Sequence, residues 1–179
     1  YASENVTIDK KTDVKVKIDN LSAFKDLANS LKDKYAVPTE ATETFKSEPE
    51  KAEKFLVPTA LEADGAKEAK VEATENGYKV TITLVSETVD YKTAPKYNTQ
   101  ASLPLTGIAE LAAQNNVTVK SSSFNYSGTV LTAEIDKDGN ILSLNHTMPL
   151  KLSAKVRYGF MNIEGSGSGK YTLDATFTY

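Results

Sequence analysis

The sequence predicts an α+β fold: a curved antiparallel β-sheet, half-barrel-like, with helices covering its concave face. Three observations carry this. Several segments alternate apolar and polar residues with a period of two, the mark of strands with one buried and one solvated face. The stretch 22–35 instead repeats its apolar residues every three or four positions, as an amphipathic helix does. Over the last sixty residues the strand patterns follow one another through short turns, as in an antiparallel meander. A chain of 179 residues suits one domain, here residues 1–179, and buries roughly 70% of the surface its unfolded form exposes.

The elements follow in order. Val14, Val16 and Ile18 alternate with Lys15 and Lys17, and Val6 and Ile8 begin a separate strand before them. Phe24, Leu27, Ala28, Leu31 and Tyr35 then form one face of a helix whose other face carries Lys25, Asp26, Lys32 and Asp33. Between Val37 and Ala66, prolines 38, 49 and 58 break the pattern, and Ser47 with Glu50 reads as a capping box for a short helix bearing Ala52, Phe55 and Leu56. This is a crossing segment. Ala69, Val71 and Ala73 lead to Asn76-Gly77, followed by Tyr78, Val80, Ile82 and Leu84. An Asn-Gly pair between alternating runs is a strong hairpin signal, because both residues tolerate positive φ.

A second short helix carries Ile108, Leu111, Ala112 and Ala113 and ends near Asn115-Asn116. Strands follow through Val117 to Tyr126 and Leu131 to Ile135, with a turn at Asp136-Lys137-Asp138-Gly139-Asn140 and a return strand from Ile141 to Met148. Leu150, Leu152, Ala154, Val156, Tyr158 and Phe160 share one strand face opposite Lys151, Ser153, Lys155 and Arg157. Gly165-Ser166-Gly167-Ser168-Gly169 reads as a flexible connection, and Tyr171 to Tyr179 as the last strand.

Composition narrows the chemistry. The formal net charge is −3, and Arg157 is the single arginine beside twenty lysines. Without a basic stripe or bidentate forks, nucleic acid is not an expected partner. There is no cysteine, so thiol nucleophiles, disulfides and Cys-ligated metals are excluded. No apolar run reaches the ~20 residues of a membrane-spanning helix, and Tyr1-Ala2-Ser3-Glu4-Asn5 has no leader character, so any targeting segment is expected to have been removed already. The Thr-, Ser-, Asn- and Lys-rich composition places the protein outside the cytoplasm, secreted or anchored at the cell surface. N-x-S/T triplets at Asn5, Asn20, Asn116, Asn125 and Asn145 are read as chance in a chain of this composition.

Candidate catalytic groups are few. His146 is the only histidine and falls on the apolar face of its strand; a serine and a carboxylate beside it would make a hydrolase triad, but no G-x-S-x-G elbow accompanies it. A calcium loop starting at Asp136 would need a glutamate twelve positions along, where Thr147 stands. The glycines at 165–169 precede a strand rather than a helix, which is no phosphate cradle. No enzyme, cofactor or metal site is expected.

The unit Thr129-Val130-Leu131-Thr132-Ala133-Glu134-Ile135-Asp136-Lys137-Asp138-Gly139-Asn140-Ile141-Leu142-Ser143-Leu144, with the long amphipathic strands after it, resembles secreted or lipid-anchored envelope proteins of Gram-positive bacteria. In outline it is similar to the lipoprotein-carrier superfamily. That resemblance implies a half-barrel closing over helices and able to hold a lipid, with no catalytic motif. The resulting expectation is a non-catalytic protein that binds an apolar small molecule or lipid in the concavity of its sheet. Leu152, Val156, Tyr158, Leu173 and Phe177 are the ligand-contacting residues in that reading. The alternative is a cell-envelope interaction or structural module with a filled core and an envelope protein as partner.

Overall fold

The computed structural model describes residues 5–22, 25–26, 29, 32–33, 36–55, 60–101 and 112–179. Among them, nine antiparallel strands form one sheet: β1 (Asn5–Leu21), β2 (Thr39–Lys46), β3 (Ala66–Thr74), β4 (Gly77–Leu84), β5 (Glu87–Val89), β6 (Val117–Tyr126), β7 (Val130–Asp136), β8 (Ile141–Tyr158) and β9 (Met161–Thr178). The described helices are α1 (Pro49–Phe55), a 3₁₀ turn at Ala63–Gly65, and α2 (Lys96–Ala101). The helix expected over 22–35 falls mostly outside the described residues; Lys25, Asp26, Asn29, Lys32 and Asp33 are helical. The helix expected before Asn115-Asn116 is described only at 112–114, and it stops where Asn116 turns left-handed at φ 55°.

The main path runs β2-β1-β9-β8-β7-β4-β3. β8 is longer than either neighbour on its outer side and serves both: its first half pairs with β7 up to Thr147 opposite Val130, its second half with β6 from Leu150 opposite Tyr126. β6 and β7 are therefore one line of chain interrupted at 127–129, and short β5 pairs with the far edge of β6. Pro149 falls in the gap between the two partners. A proline lacks the N–H that an unbroken ladder requires, and here one side of the strand has no ladder to serve. The stretches 141–148 and 150–158 are accordingly one 18-residue strand, 141–158, and Phe160 lies beyond its end.

The half-barrel with a helical cover is corrected by this topology. The antiparallel sheet and its mixture with helices stand, but the path ends at β2 and β3, which do not pair, and the sheet is neither closed nor strongly curved. The described helices are short, seven residues in α1 and six in α2, and form no layer across the face. Apolar alternation determines which face is buried and is silent on how far a sheet bends. Closure also needs edges willing to pair, and β3 carries Lys67, Glu68, Lys70 and Glu72 along its edge, the charge pattern that discourages edge pairing.

Among the described residues, two clusters form the core. Val6, Ile8, Phe45, Leu173, Ala175 and Phe177 bury against Ala52 of α1, with the Phe45 and Phe55 rings 5.6 Å apart. Pro49 occupies the first turn of α1, which needs no N–H there. The carbonyl of Glu48 accepts from the N–H of both Lys51 and Ala52. Ser47, two residues before α1, sits at φ 55°, outside the extended conformation usual for an N-cap. Lys10 explains why β1 reads as two strands in sequence but is one: its stem crosses the apolar face and its ammonium lies 4.4 Å from the Phe55 ring centroid. The second cluster joins Phe124, Tyr126, Met148 and Leu150, flanked by Val89, Tyr91 and Leu152.

Turns follow the sequence with two adjustments. The β3–β4 hairpin is present, but Glu75 and Asn76 are its turn residues, with Thr74 paired to Gly77. Neither has positive φ; the glycine is needed one place later, where a Cβ would lie 2.0 Å from the Ile135 carbonyl. The glycines at 165–169 are not a connection at all. They lie inside β9, paired to β8 on one side and β1 on the other. Gly-Ser-Gly-Ser-Gly is itself a period-two pattern with the apolar side chains deleted, and at Gly167 a Cβ would come within 2.8 Å of the Lys17 carbonyl oxygen. Gly167→Ala is expected to destabilise the protein by about 1–3 kcal/mol, since backbone must shift to admit the methyl group; urea denaturation of the purified variant measures it.

Candidate binding surface

The polar groups come first, because chemistry would depend on them. His146 projects from β8 onto the apolar face opposite Leu173 and Leu131. It is 2% exposed, and its Nε2 has no hydrogen-bond partner. The Tyr171 ring packs against it edge-on at 5.7 Å. Burial pushes the imidazole down to about 4, so it is neutral at physiological pH. Among the described residues, no hydroxyl or carboxylate bonds to Nε2 to form a relay.

Asp136 accepts from the N–H of Asp138 and Asn140 and from the Asn140 side chain. Those donors, the Asn140 amide foremost, hold its carboxyl below the usual carboxylate range. Both oxygens are thus engaged in shaping the turn, and no group of three metal-binding side chains exists among the described residues. On the surface, Lys96 bridges Glu62 at 2.7 Å and Asp64 at 3.6 Å, and the Tyr97 hydroxyl donates to Asp64 at 2.7 Å. The Glu62 hydrogen bond raises Lys96, and the Asp64 hydrogen bond raises Tyr97. Both shifts lead away from neutrality, the reverse of what a general base needs.

A further network ties the fork together. Glu87 of β5 accepts from the backbone N–H of Tyr97 and Asn98 at the start of α2, and from the Asn98 side chain at 2.7 Å. Asn98 in turn accepts from the Thr129 hydroxyl at 2.7 Å, while the Thr129 carbonyl receives the N–H of Leu84. Asn98 and Thr129 are each 1% exposed, and every bond joins segments distant in sequence. This network positions chain and has no free acid or base.

The residues expected to line a ligand site are divided by the fold. Leu173 and Phe177 belong to the cluster under α1. Leu152 flanks the other cluster, and Val156 and Tyr158 lie farther along β8, opposite Ile163 and Met161. They share a face without converging on one point.

Sequence reasoning missed the far end of the β8–β9 hairpin. Tyr158 pairs with Met161 across a two-residue turn of Gly159 and Phe160. Gly159 has φ 58° while Phe160 does not have positive φ, the glycine-first arrangement of a type II′ hairpin turn. Phe160 therefore belongs to no strand face; it is 98% exposed, and Met161 beside it is 49% exposed. The signal was a change of phase: apolar residues occupy even positions through 158 and odd positions from 161, which a two-residue turn produces. Alternation running on through Phe160 concealed it.

The opposite edge is also exposed, with Val71 and Tyr78 open to solvent on β3 and β4, but there the charged edge strand separates the apolar side chains. No helix among the described residues is long and apolar enough to cross a membrane. No family model, curated protein or solved structure matches this chain. The resemblance to the lipoprotein-carrier superfamily is therefore corrected: no homology supports it, and the open sheet lacks the closing half-barrel it implied.

Two outcomes are expected. Asn98→Leu leaves the Thr129 hydroxyl and part of Glu87 without partners, and should destabilise by roughly 2–3 kcal/mol, read from the shift in the urea midpoint. For His146, the unfolded imidazole takes up its proton near pH 6.5 and the folded one only near 4. Stability from the neutral ring is complete above pH 6.5 and is lost as pH falls toward 4, by about 3 kcal/mol in all. The stability difference between wild type and His146→Leu should shift by that amount in favour of the variant between pH 7 and pH 4, the comparison cancelling the carboxylates common to both.

Proposed function

We propose that this chain is a non-catalytic interaction module, working outside the cytoplasm, that engages another surface through the exposed apolar end of the β8–β9 hairpin. The observation that carries the reading is Phe160, 98% exposed at the apex of a hairpin whose two strands have 18 residues each. A side chain of that size in water gains nothing for the fold; buried against a partner it contributes about 1.5–3 kcal/mol. Two filled clusters on the apolar face support the same reading. The extracytoplasmic location rests on the Thr-, Ser-, Asn- and Lys-rich composition.

The competing reading is a small apolar ligand held against the sheet. The clefts that bear on it are open, about 430 Å³ each, one of them lined by Ser121, Ser122, Ser123 and Ser153. An apolar ligand would strip water from those hydroxyls without replacing it. Native mass spectrometry of protein purified from its own source, followed by organic extraction, separates the two. A bare polypeptide mass is the expected result. A stoichiometric apolar adduct would overturn the module and return Leu152, Val156, Tyr158, Leu173 and Phe177 as its contacts.

A further inference from the structure

The charge around the hairpin apex is unlike that of the chain. Beside the turn, Lys155 and Arg157 of β8 and Lys120 of neighbouring β6 stand against one carboxylate, Glu164, while Lys151 and Lys170 lie eight or more residues away along the hairpin. All five cations are exposed, whereas the whole chain has a formal net charge of −3. Glu164 is engaged with Lys155 at 2.7 Å.

Arg157 is closest to the apex. Its Nε donates to the Gly159 carbonyl at 2.9 Å, which holds the guanidinium beside the turn. The planar fork suits phosphate oxygens better than an ammonium does. Lys120 sits on the neighbouring strand where the β6–β8 register shifts between Val119 and Ser121.

We propose that the β8–β9 apex is a lipid-surface anchor, in which Phe160 and Met161 enter the interface of an anionic bilayer while Arg157, Lys155 and Lys120 meet its headgroups. The inference deepens the module reading and rests on it, naming the partner as a membrane surface. Two physical terms combine. An apolar side chain at the boundary of headgroups and acyl chains gains burial, and each basic residue near an anionic leaflet adds attraction that falls off within a Debye length. An apolar protein pocket would use the first term alone; the cations beside the turn, Arg157 foremost, select an anionic surface. The anchor is superficial, since a two-residue turn presents one or two side chains.

The test uses the intact chain and vesicles of phosphatidylcholine alone or with about one-third phosphatidylserine, read by co-sedimentation. Binding should appear on the anionic vesicles, weaken with added salt, and fall about tenfold or more in Phe160→Ser. Because Phe160 touches no core cluster, that variant keeps its fold, which circular dichroism checks. Arg157→Ala combined with Lys120→Ala should weaken binding by at least about fivefold. The chain has no tryptophan, so Phe160→Trp supplies a single reporter whose emission shifts to the blue on insertion.

Absence of binding to anionic vesicles, or binding unchanged in Phe160→Ser, overturns the anchor, as does a photo-crosslinker at position 160 that captures protein rather than lipid in intact envelopes. These results leave the module reading in place, because that reading fails only on a stoichiometric ligand in the native mass spectrum.

Discussion

The structure depends on β9 being able to lie between two long strands at once. Its backbone bonds to β8 from Met161 to Thr176 and to β1 from Gly165 to Thr178, and everything else attaches to this three-stranded spine. β2 extends β1, and β6 and β7 share the outer edge of β8. Where the spine is covered, at Leu173, Ala175 and Phe177, β9 contributes side chains to a core. Farther along it contributes glycines, and at Gly167 the neighbouring backbone is too close for a Cβ. The same strand is therefore core in one half and bare backbone in the other.

That division sets a gradient of stability. The half of the sheet under α1 and the half held by the Glu87–Asn98–Thr129 network have buried side chains and satisfied polar groups. β3 has almost every residue exposed, and its contribution comes from ladder bonds to β4 with little burial behind them. Local opening is expected to begin where few apolar contacts resist it, so the β3–β4 edge should exchange its amides before the spine does. His146 fits the same logic from the other side. Strands on both sides exclude water from the ring, which keeps it neutral, and its unpartnered nitrogen is a cost that the surrounding burial must offset.

Much of this was legible in the residues. Alternation at 14–18, 78–84, 150–158 and 171–177 marks strands because each must hide one face, a requirement met residue by residue. The Asp136–Asn140 turn was legible because its side chains act on their own backbone. What was hidden is non-local. Pro149 looks like a strand break until β8 is seen to change partners there, and the glycines at 165–169 look like a loop until β1 is seen to crowd them. Curvature was overestimated for the same reason: no residue encodes how a sheet's two edges stand in space. The ligand contacts expected from the sequence are spread along two 18-residue strands, where sharing a face does not by itself bring residues together.

Phe160 is the residue for which the fold offers no account. Gly159 supplies the positive φ that the turn requires, and the position after it can be filled by a small polar residue without loss to the sheet. Arg157 braces the turn through its backbone and would do so with any residue at 160. A phenyl ring at the apex therefore adds apolar surface that none of the described residues covers, next to a methionine and beside Arg157 on a chain of net negative charge. Edge strand β3 shows how the same molecule treats exposed apolar residues elsewhere, interleaving Val71 with charge so that nothing adheres. At the apex the charge of Arg157 lies beside the ring instead of between apolar neighbours, the placement that an anionic surface would reward in the proposed anchor, whereas a charged edge discourages a second strand.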